Sequence, residues 1–276
     1  MYMIYVTGDT HGNVGRLSNK HWLAARSMTK DDFVIICGDF GLVWDYHGES
    51  SMESHSLDWL ESRPFSTLFV DGNHENHKRL GEYPVETWNG GKVHKIRPSV
   101  IHLMRGQIYD LPFGDETRRI FTFGGARSHD IQDGVLDPVL DAEKIRQWKH
   151  HNAYNYDNYK FFRVIGQSWW PEEMPTLKEM EEAIDNLDNA GWEVDYIFTH
   201  DCSGAVKKAL FDDDKCPMDE MNIFLDVVRE TCNYKRWFFG HHHDDLWLSG
   251  CDCLLYEDII PVNKRIDEEM LQLLTT

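Results

Sequence analysis

Short apolar runs alternate with helical spacing over the first third of the chain. Tyr2–Val6, Phe33–Cys37 and Ser66–Val70 are β-prone runs. Between them lie Leu17, Trp22, Leu23 and Arg26 at helical spacing, and a helix predicted around Met52–Glu61. Strand, helix, strand, helix, strand in that order predicts parallel pairing with helices outside the sheet, joined by right-handed crossovers. The middle loses the helical period. Val85–Trp88, Lys92–Ile96, Val100–Met104, Gln107–Leu111 and Arg119–Phe123 are separated by Gly, Pro or Asp turns and predict antiparallel strands. Residues 127–173 are polar, aromatic and weakly patterned, with Tyr154, Tyr156, Tyr159, Phe161, Phe162, Trp169 and Trp170; such a stretch reads as an inserted lid or substrate loop. Helical order then returns. Thr176 and Glu179 form a capping box, Leu177, Met180, Ile184 and Leu187 an apolar stripe, and Gly191 a stop. Val194–Thr199 predicts a strand, Met218–Thr231 a helix and Arg236–Phe239 a strand, with Leu246–Leu248 and Cys253–Tyr256 closing. No linker interrupts the pattern, so one domain over 1–276 carrying the excursion is expected.

With 41% apolar and 27% charged residues, the chain fits a globular protein rather than a disordered or fibrous one. Its 28 basic and 47 acidic residues leave a formal charge of −19, which repels long nucleic acid and anionic membranes. No apolar run is long enough for a membrane span. No basic region precedes Tyr2–Val6, so no leader peptide is expected. Reduced thiols and a cytoplasmic location follow for the 6 cysteines. Cys251-x-Cys253 lacks the spacing of a zinc knuckle. Asp212-Asp213-Asp214 reads as a solvated turn, without the spacing of a calcium loop. The sequence fixes no oligomeric state.

Five blocks carry the chemistry: Gly8-Asp9-Thr10-His11-Gly12, Gly38-Asp39, Gly72-Asn73-His74-Glu75, Thr199-His200-Asp201 and Gly240-His241-His242-His243. Each follows a predicted strand, and in an α/β sheet the carboxyl ends of the strands form the binding edge. Asp9, His11, Asp39, Asn73, His200, His241 and His243 are nitrogen and oxygen donors with no thiolate, a set suited to hard or borderline divalent ions. The i, i+2 spacing of Asp9 with His11 and of His241 with His243 turns each pair to one side, and His242 to the other. Seven donors exceed one tetrahedral site and suffice for two ions if a carboxylate bridges; Asp39, on an expected central strand, suits that place. Two cations about 3.5–4 Å apart polarise phosphoryl oxygens and acidify a bridging water, the usual machinery for phosphate-ester hydrolysis.

In order and spacing these blocks resemble the calcineurin-like metallophosphoesterase superfamily, with its D-x-H, G-D, G-N-H-[DE], H and G-H-x-H pattern. The resemblance spans Asp9 to His243 and implies a four-layered α/β/β/α sandwich of two mixed sheets. It implies that Asp9, His11, Asp39 and His243 bind one metal and Asp39, Asn73, His200 and His241 the other. It also implies that His74 faces the substrate, where it stabilises phosphoryl oxygens or protonates the leaving oxygen. The second block departs from the G-D-x-x-D-R-G of the serine/threonine protein phosphatases, reading Gly38-Asp39-Phe40-Gly41-Leu42-Val43-Trp44. The carboxylate that would orient His74 is therefore unassigned, with Asp45 a candidate.

Several residues carry two readings. Asp201 is either an acceptor that fixes His200 or a turn former. Arg127, after Gly124-Gly125, is either a phosphate clamp at the site or a surface ion pair. His129, His150 and His151 read as solvated, and Trp169-Trp170 as packing before stacking on substrate. The expected activity is metal-bound-hydroxide hydrolysis of phosphoric monoesters or diesters, with two divalent ions, manganese first among Mn, Fe, Zn, Co and Ni. Its partner would be a small phosphoester. The alternatives are a nuclease or nucleotide-specific phosphodiesterase, or a non-catalytic metal-binding scaffold of the same fold.

Overall fold

A computed structural model describes residues 2–154, 158–211 and 217–265. Tyr156, Cys216 and the run Asp212-Asp213-Asp214 lie outside the described residues. The early apolar runs form the parallel strands β1 (Ile4–Thr7), β2 (Phe33–Ile36) and β3 (Ser66–Phe69). Helix α1 (Ser51–Glu61) opens on a Ser50–Glu53 capping box and buries Leu57 and Leu60. The helical spacing between β1 and β2 does not become an α-helix. It forms two 3-10 turns, Val14–Leu17 and Leu23–Ser27. The buried pair Val14 and Leu17 sits three residues apart, the period of the tighter helix.

After α2 (His77–Leu80), the strands β4 (Val85–Trp88), β5 (Gly91–Arg97) and β6 (Val100–Leu103) form an antiparallel meander. β7 (Gln107–Phe113) and β8 (Glu116–Phe123) form a hairpin in a second sheet. The expectation of antiparallel strands here holds only in part, because β6 also pairs parallel with β3. The described residues of 127–173 are more ordered than the sequence pattern suggests. β9 (Gly134–Leu136), α3 (Ala142–Tyr154) and β10 (Phe162–Val164) form a small unit with β9 and β10 parallel. Ile145 is the buried residue of α3, too little apolar burial to give a stripe.

α4 (Leu177–Asn189) has the expected Thr176–Glu179 capping box, but Leu177 is 77% exposed. As the first helical residue it faces outward, and Ala183 and Leu187 do the packing. The chain continues through β11 (Tyr196–Thr199), α5 (Gly204–Leu210), α6 (Glu220–Thr231), β12 (Arg236–Phe239), β13 (Leu246–Trp247), β14 (Asp252–Leu254) and β15 (Ile260–Pro261). The first sheet runs β15-β1-β2-β3-β6-β5-β4 and the second β13-β14-β12-β11-β8-β7. β8 pairs parallel with β11, which pairs parallel with β12.

Alternate residues of each central strand point to different layers. Val6, Ile35, Leu68, Phe198 and Phe238 meet between the sheets. Val34, Ile36 and Phe69 face α1, and Phe121, Phe123 and Trp237 pack with α4 and α6 residues such as Leu187 and Leu225. The result is an α/β/β/α sandwich whose central strands are buried on both faces, which explains their unbroken apolar runs. Among the described residues, Cys37, Cys232 and Cys253 are buried free thiols and Cys251 an exposed one, and Cys202 is buried. No helix among them is long and apolar enough to cross a membrane.

Candidate metal centre

The rim of the two sheets gathers the donor residues. Asp9 and His11 follow β1, Asp39 follows β2 and Asn73 follows β3; His200 follows β11, and His241 and His243 follow β12. Within each sheet these strands run parallel, so their carboxyl ends share an edge. The turns there are strained. His11, Asp39, His241 and His243 have φ of 44°, 43°, 70° and 52°, in the left-handed region that costs a side-chain-bearing residue about 1–3 kcal/mol. Gly72 has no substitute, since a Cβ would overlap Asp39 Oδ1 and His200 Nε2.

Two groups of donor atoms result. His243 Nε2 lies 2.9 Å from His11 Nε2 and 3.2 Å from Asp9 Oδ2, and His11 Nε2 lies 3.8 Å from Asp9 Oδ2. His200 Nε2 lies 3.3 Å from both Asp39 Oδ1 and Asn73 Oδ1. Asp39 turns its other oxygen toward His11, 3.8 Å from Nδ1. Ligand bonds of about 2.1 Å to one cation place donor atoms about 3–3.4 Å apart, so the 2.9–3.3 Å separations in both groups suit a divalent ion, while the 3.8 Å from His11 to Asp9 would have to shorten. His241 is buried beside them, its ring edge-on to His200 at 4.9 Å and its backbone N–H donating to Asp9 Oδ1 at 3.0 Å. Asp9, Asp39 and His200 are buried, whereas the side chains of His11 and His243 are 29% and 43% exposed, so the centre opens on their side.

The charges are coupled. Burial opposes ionisation of Asp39, yet His200, His74 and His11 hold its carboxyl well below the usual range. Burial would likewise discharge His200, but Asp39 and Asp9 reverse this and lift it to about 10. His200 Nδ1 donates to the Cys37 carbonyl at 2.8 Å, which aims Nε2 at the donor group. Burial pulls His241 well below its ordinary value. His74, pressed by burial and by Arg163 and His11 against the pull of Asp39, falls to about 4.

His74 borders the centre, 3.9 Å from Asp39 Oδ2 through Nε2. Trp44 stacks on its ring at 5.4 Å, and the buried Trp170 packs edge-on to Trp44. Asp45 does not orient His74; its side chain accepts from its own turn, at His47 N. Arg163 holds that place, donating to His74 Nε2 at 2.6 Å. Nor does Asp201 fix His200. It is buried and accepts from His242 Nε2, Lys207 Nζ and Asn222 Nδ2, each at 2.9 Å, and so holds His242 away from the donor groups.

Arg127 does not reach the donor atoms in this structure. Its side chain is 52% exposed and lies 3.6 Å from the buried Asp219 and 3.5 Å from the exposed Glu220. It does line a cleft of about 260 Å³ together with His129 and His241. His129 is exposed, yet its ring meets that of His241 at 5.0 Å.

Three supporting residues escaped the sequence reading. Glu75 is buried and accepts from Gly41 N at 3.0 Å and from Gly72 N, clamping two donor-bearing turns. Burial and the nearby Asp39 push its carboxyl up to about 8. Its place in the third block was a signal. Ser128 accepts from Asn73 Nδ2 at 3.4 Å and donates to Glu173 at 2.6 Å, which turns the Asn73 carbonyl toward His200. Ser128 and Arg163 lie in the weakly patterned excursion, where no motif marked them.

Comparison with known proteins adds three findings. A family model described as calcineurin-like phosphoesterase matches residues 2–245. A phosphopantetheinyl hydrolase from Mycobacterium tuberculosis is similar among solved structures, with 18% identity, 93% of this chain and 90% of that chain covered, and a TM-score of 0.36. No curated protein matches the chain.

Proposed function

Because the chain belongs to the calcineurin-like phosphoesterase family and is a metal-dependent phosphoester hydrolase, we propose that it works with two divalent cations on small phosphoric esters. The supporting observation is the pair of donor groups at the sheet rim, Asp9, His11 and His243 on one side and Asp9, Asp39 and His200 on the other. Asp9, His11 and His243 would hold one ion, and Asn73 and His200, with His241 beside them, the other; Asp39 has an oxygen for each. Divalent ions in such a cradle supply charge for the phosphoryl oxygens and acidify water. The ester would enter on the exposed side, past His11 and His243. His74 stands at that edge and would hydrogen-bond the phosphoryl or leaving oxygen. Nitrogen and oxygen donors without thiolate admit manganese, iron, zinc, cobalt or nickel, and manganese is the ion to test first. The charge of −19 supports small esters over polyanions.

The test is metal-stripped protein reloaded with manganese, with metal content measured and turnover followed on p-nitrophenyl phosphate and bis(p-nitrophenyl) phosphate. Two ions per chain and metal-dependent turnover of at least one ester are expected, and the preferred ester assigns the substrate class. A stoichiometry of one, or turnover unchanged by stripping, would overturn the reading.

A further inference from the structure

We propose that Arg163 is a positioning residue for His74, and that the inserted unit over 127–173 acts through it as a brace for the reacting centre. This rests on the phosphoesterase reading above. Its basis is the set of partners of one guanidinium. Arg163 lies on β10, and its side chain is only 5% exposed. Nη2 donates to His74 Nε2 at 2.6 Å and to Asp130 Oδ2 at 3.0 Å. Nη1 donates to the Asn73 carbonyl at 3.1 Å and the Ser168 carbonyl at 3.2 Å. Nε lies 2.7 Å from Asp130 Oδ1.

A guanidinium has donors and no acceptor. Its bond to Nε2 therefore requires the lone pair of that nitrogen, and leaves Nδ1 as the ring position that carries the proton. The side chain thus selects one tautomer of His74 as well as its position, and leaves Nδ1–H as the ring group that can donate to an ester. The same planar group grips the backbone of Asn73, the neighbouring residue in the donor set. One rigid fork fixes the offset between a metal-site amide and the imidazole that meets the ester. Asp130 and the Ser168 carbonyl, both in the inserted unit, pin the fork from behind. Trp170, also in that unit, packs on Trp44, which stacks on the His74 ring. A lysine ammonium has no such planar fork to reach all these partners.

The experiment compares metal-loaded wild type, Arg163→Ala, Arg163→Lys, His74→Ala and the Arg163→Ala/His74→Ala double variant on the better p-nitrophenyl ester. Metal content and circular dichroism are recorded for each. Arg163→Ala is expected to keep its metals and its KM within about twofold while kcat falls about ten- to a hundredfold, the scale of a misplaced reacting group. Added guanidinium ion should restore part of that loss, and Arg163→Lys should recover less than the rescued alanine variant. In the His74→Ala background the second substitution should cost no more than about twofold, since the two residues act as one unit.

Undiminished kcat in Arg163→Ala would overturn the proposal. So would loss of metal from that variant, or an equal loss of rate with and without His74. Absence of turnover in metal-loaded wild type would overturn the functional reading and this proposal with it. An active wild type with an unimpaired Arg163→Ala overturns the proposal alone.

Discussion

A buried imidazole between two carboxylates acts as a resident cation. His200, lifted to about 10 by Asp39 and Asp9 against burial, carries a proton at neutral pH in the ion-free protein. Its folded pKa is raised, so its stabilising contribution is full below the ordinary imidazole value of about 6.5 and is lost as pH rises through about 10. On the proposed reading, a metal ion held by His200 displaces that proton. Manganese titrations at pH 7.5 in buffers of different ionisation enthalpy should therefore show release of about one proton or more per chain. A heat independent of buffer would contradict this charge assignment. On the proposed reading, Asp39 holds metal and His74 acts on the ester, so variants of the two should differ. Asp39→Asn should lose bound metal and nearly all turnover, because a carboxylate of the His200 donor group, whose other oxygen faces His11, is gone. His74→Ala should keep its metal while kcat falls about 10²–10⁴-fold, the range of one acid–base group. Metal analysis beside steady-state kinetics checks both.

At the scale of elements, helix α4 shows what local pattern can and cannot specify. Thr176 and Glu179 marked its start correctly, yet Leu177 belonged to the apolar stripe only by spacing. Leu187→Ala should lower unfolding free energy by about 2–5 kcal/mol, the usual cost of emptying a core position. Leu177→Ala should stay within about 0.5 kcal/mol, as surface changes do. Urea unfolding of both variants is the check. The same contrast runs through the chain. Strand-end blocks were legible because Gly beside Asp or His is forced by crowding, as at Gly72 against Asp39 and His200. Parallel pairing of β1, β2 and β3 followed from their alternation with helical segments. The 3-10 turns at Val14–Leu17 and Leu23–Ser27 were not legible, because a three-residue apolar spacing also fits an α-helix. Helix α3 buries too little to leave a stripe, and Arg163 reaches His74 across 89 residues of sequence, so neither had a local signature.

At the scale of the molecule, the two sheets are joined by polar contacts as well as by the apolar layer between them. Asp71, after β3, accepts from Arg105 Nε at 2.9 Å and lies 3.1 Å from His102 Nε2, while its carbonyl accepts from Gly125 N, after β8 of the other sheet, at 2.8 Å. Burial opposes its charge, but Arg105 and His102 hold the carboxyl well below the usual range. This contribution is present above the ordinary carboxylate value of about 3.9 and is lost as pH falls through the folded value. Asp71→Asn leaves the buried Arg105 charge with only Glu179, 3.6 Å away, and should cost about 3–5 kcal/mol at pH 7. The difference from wild type should narrow in acid, which unfolding measured at pH 7 and pH 3 would show.

The candidate metal centre draws Asp9, Asp39 and Asn73 from one sheet and His200 and His243, with His241 beside them, from the other. A bound ion is then a rivet driven through both plates of the sandwich. Its affinity adds to folding by mass action, so a chelator would loosen the seam between the halves as well as silence the chemistry at their rim.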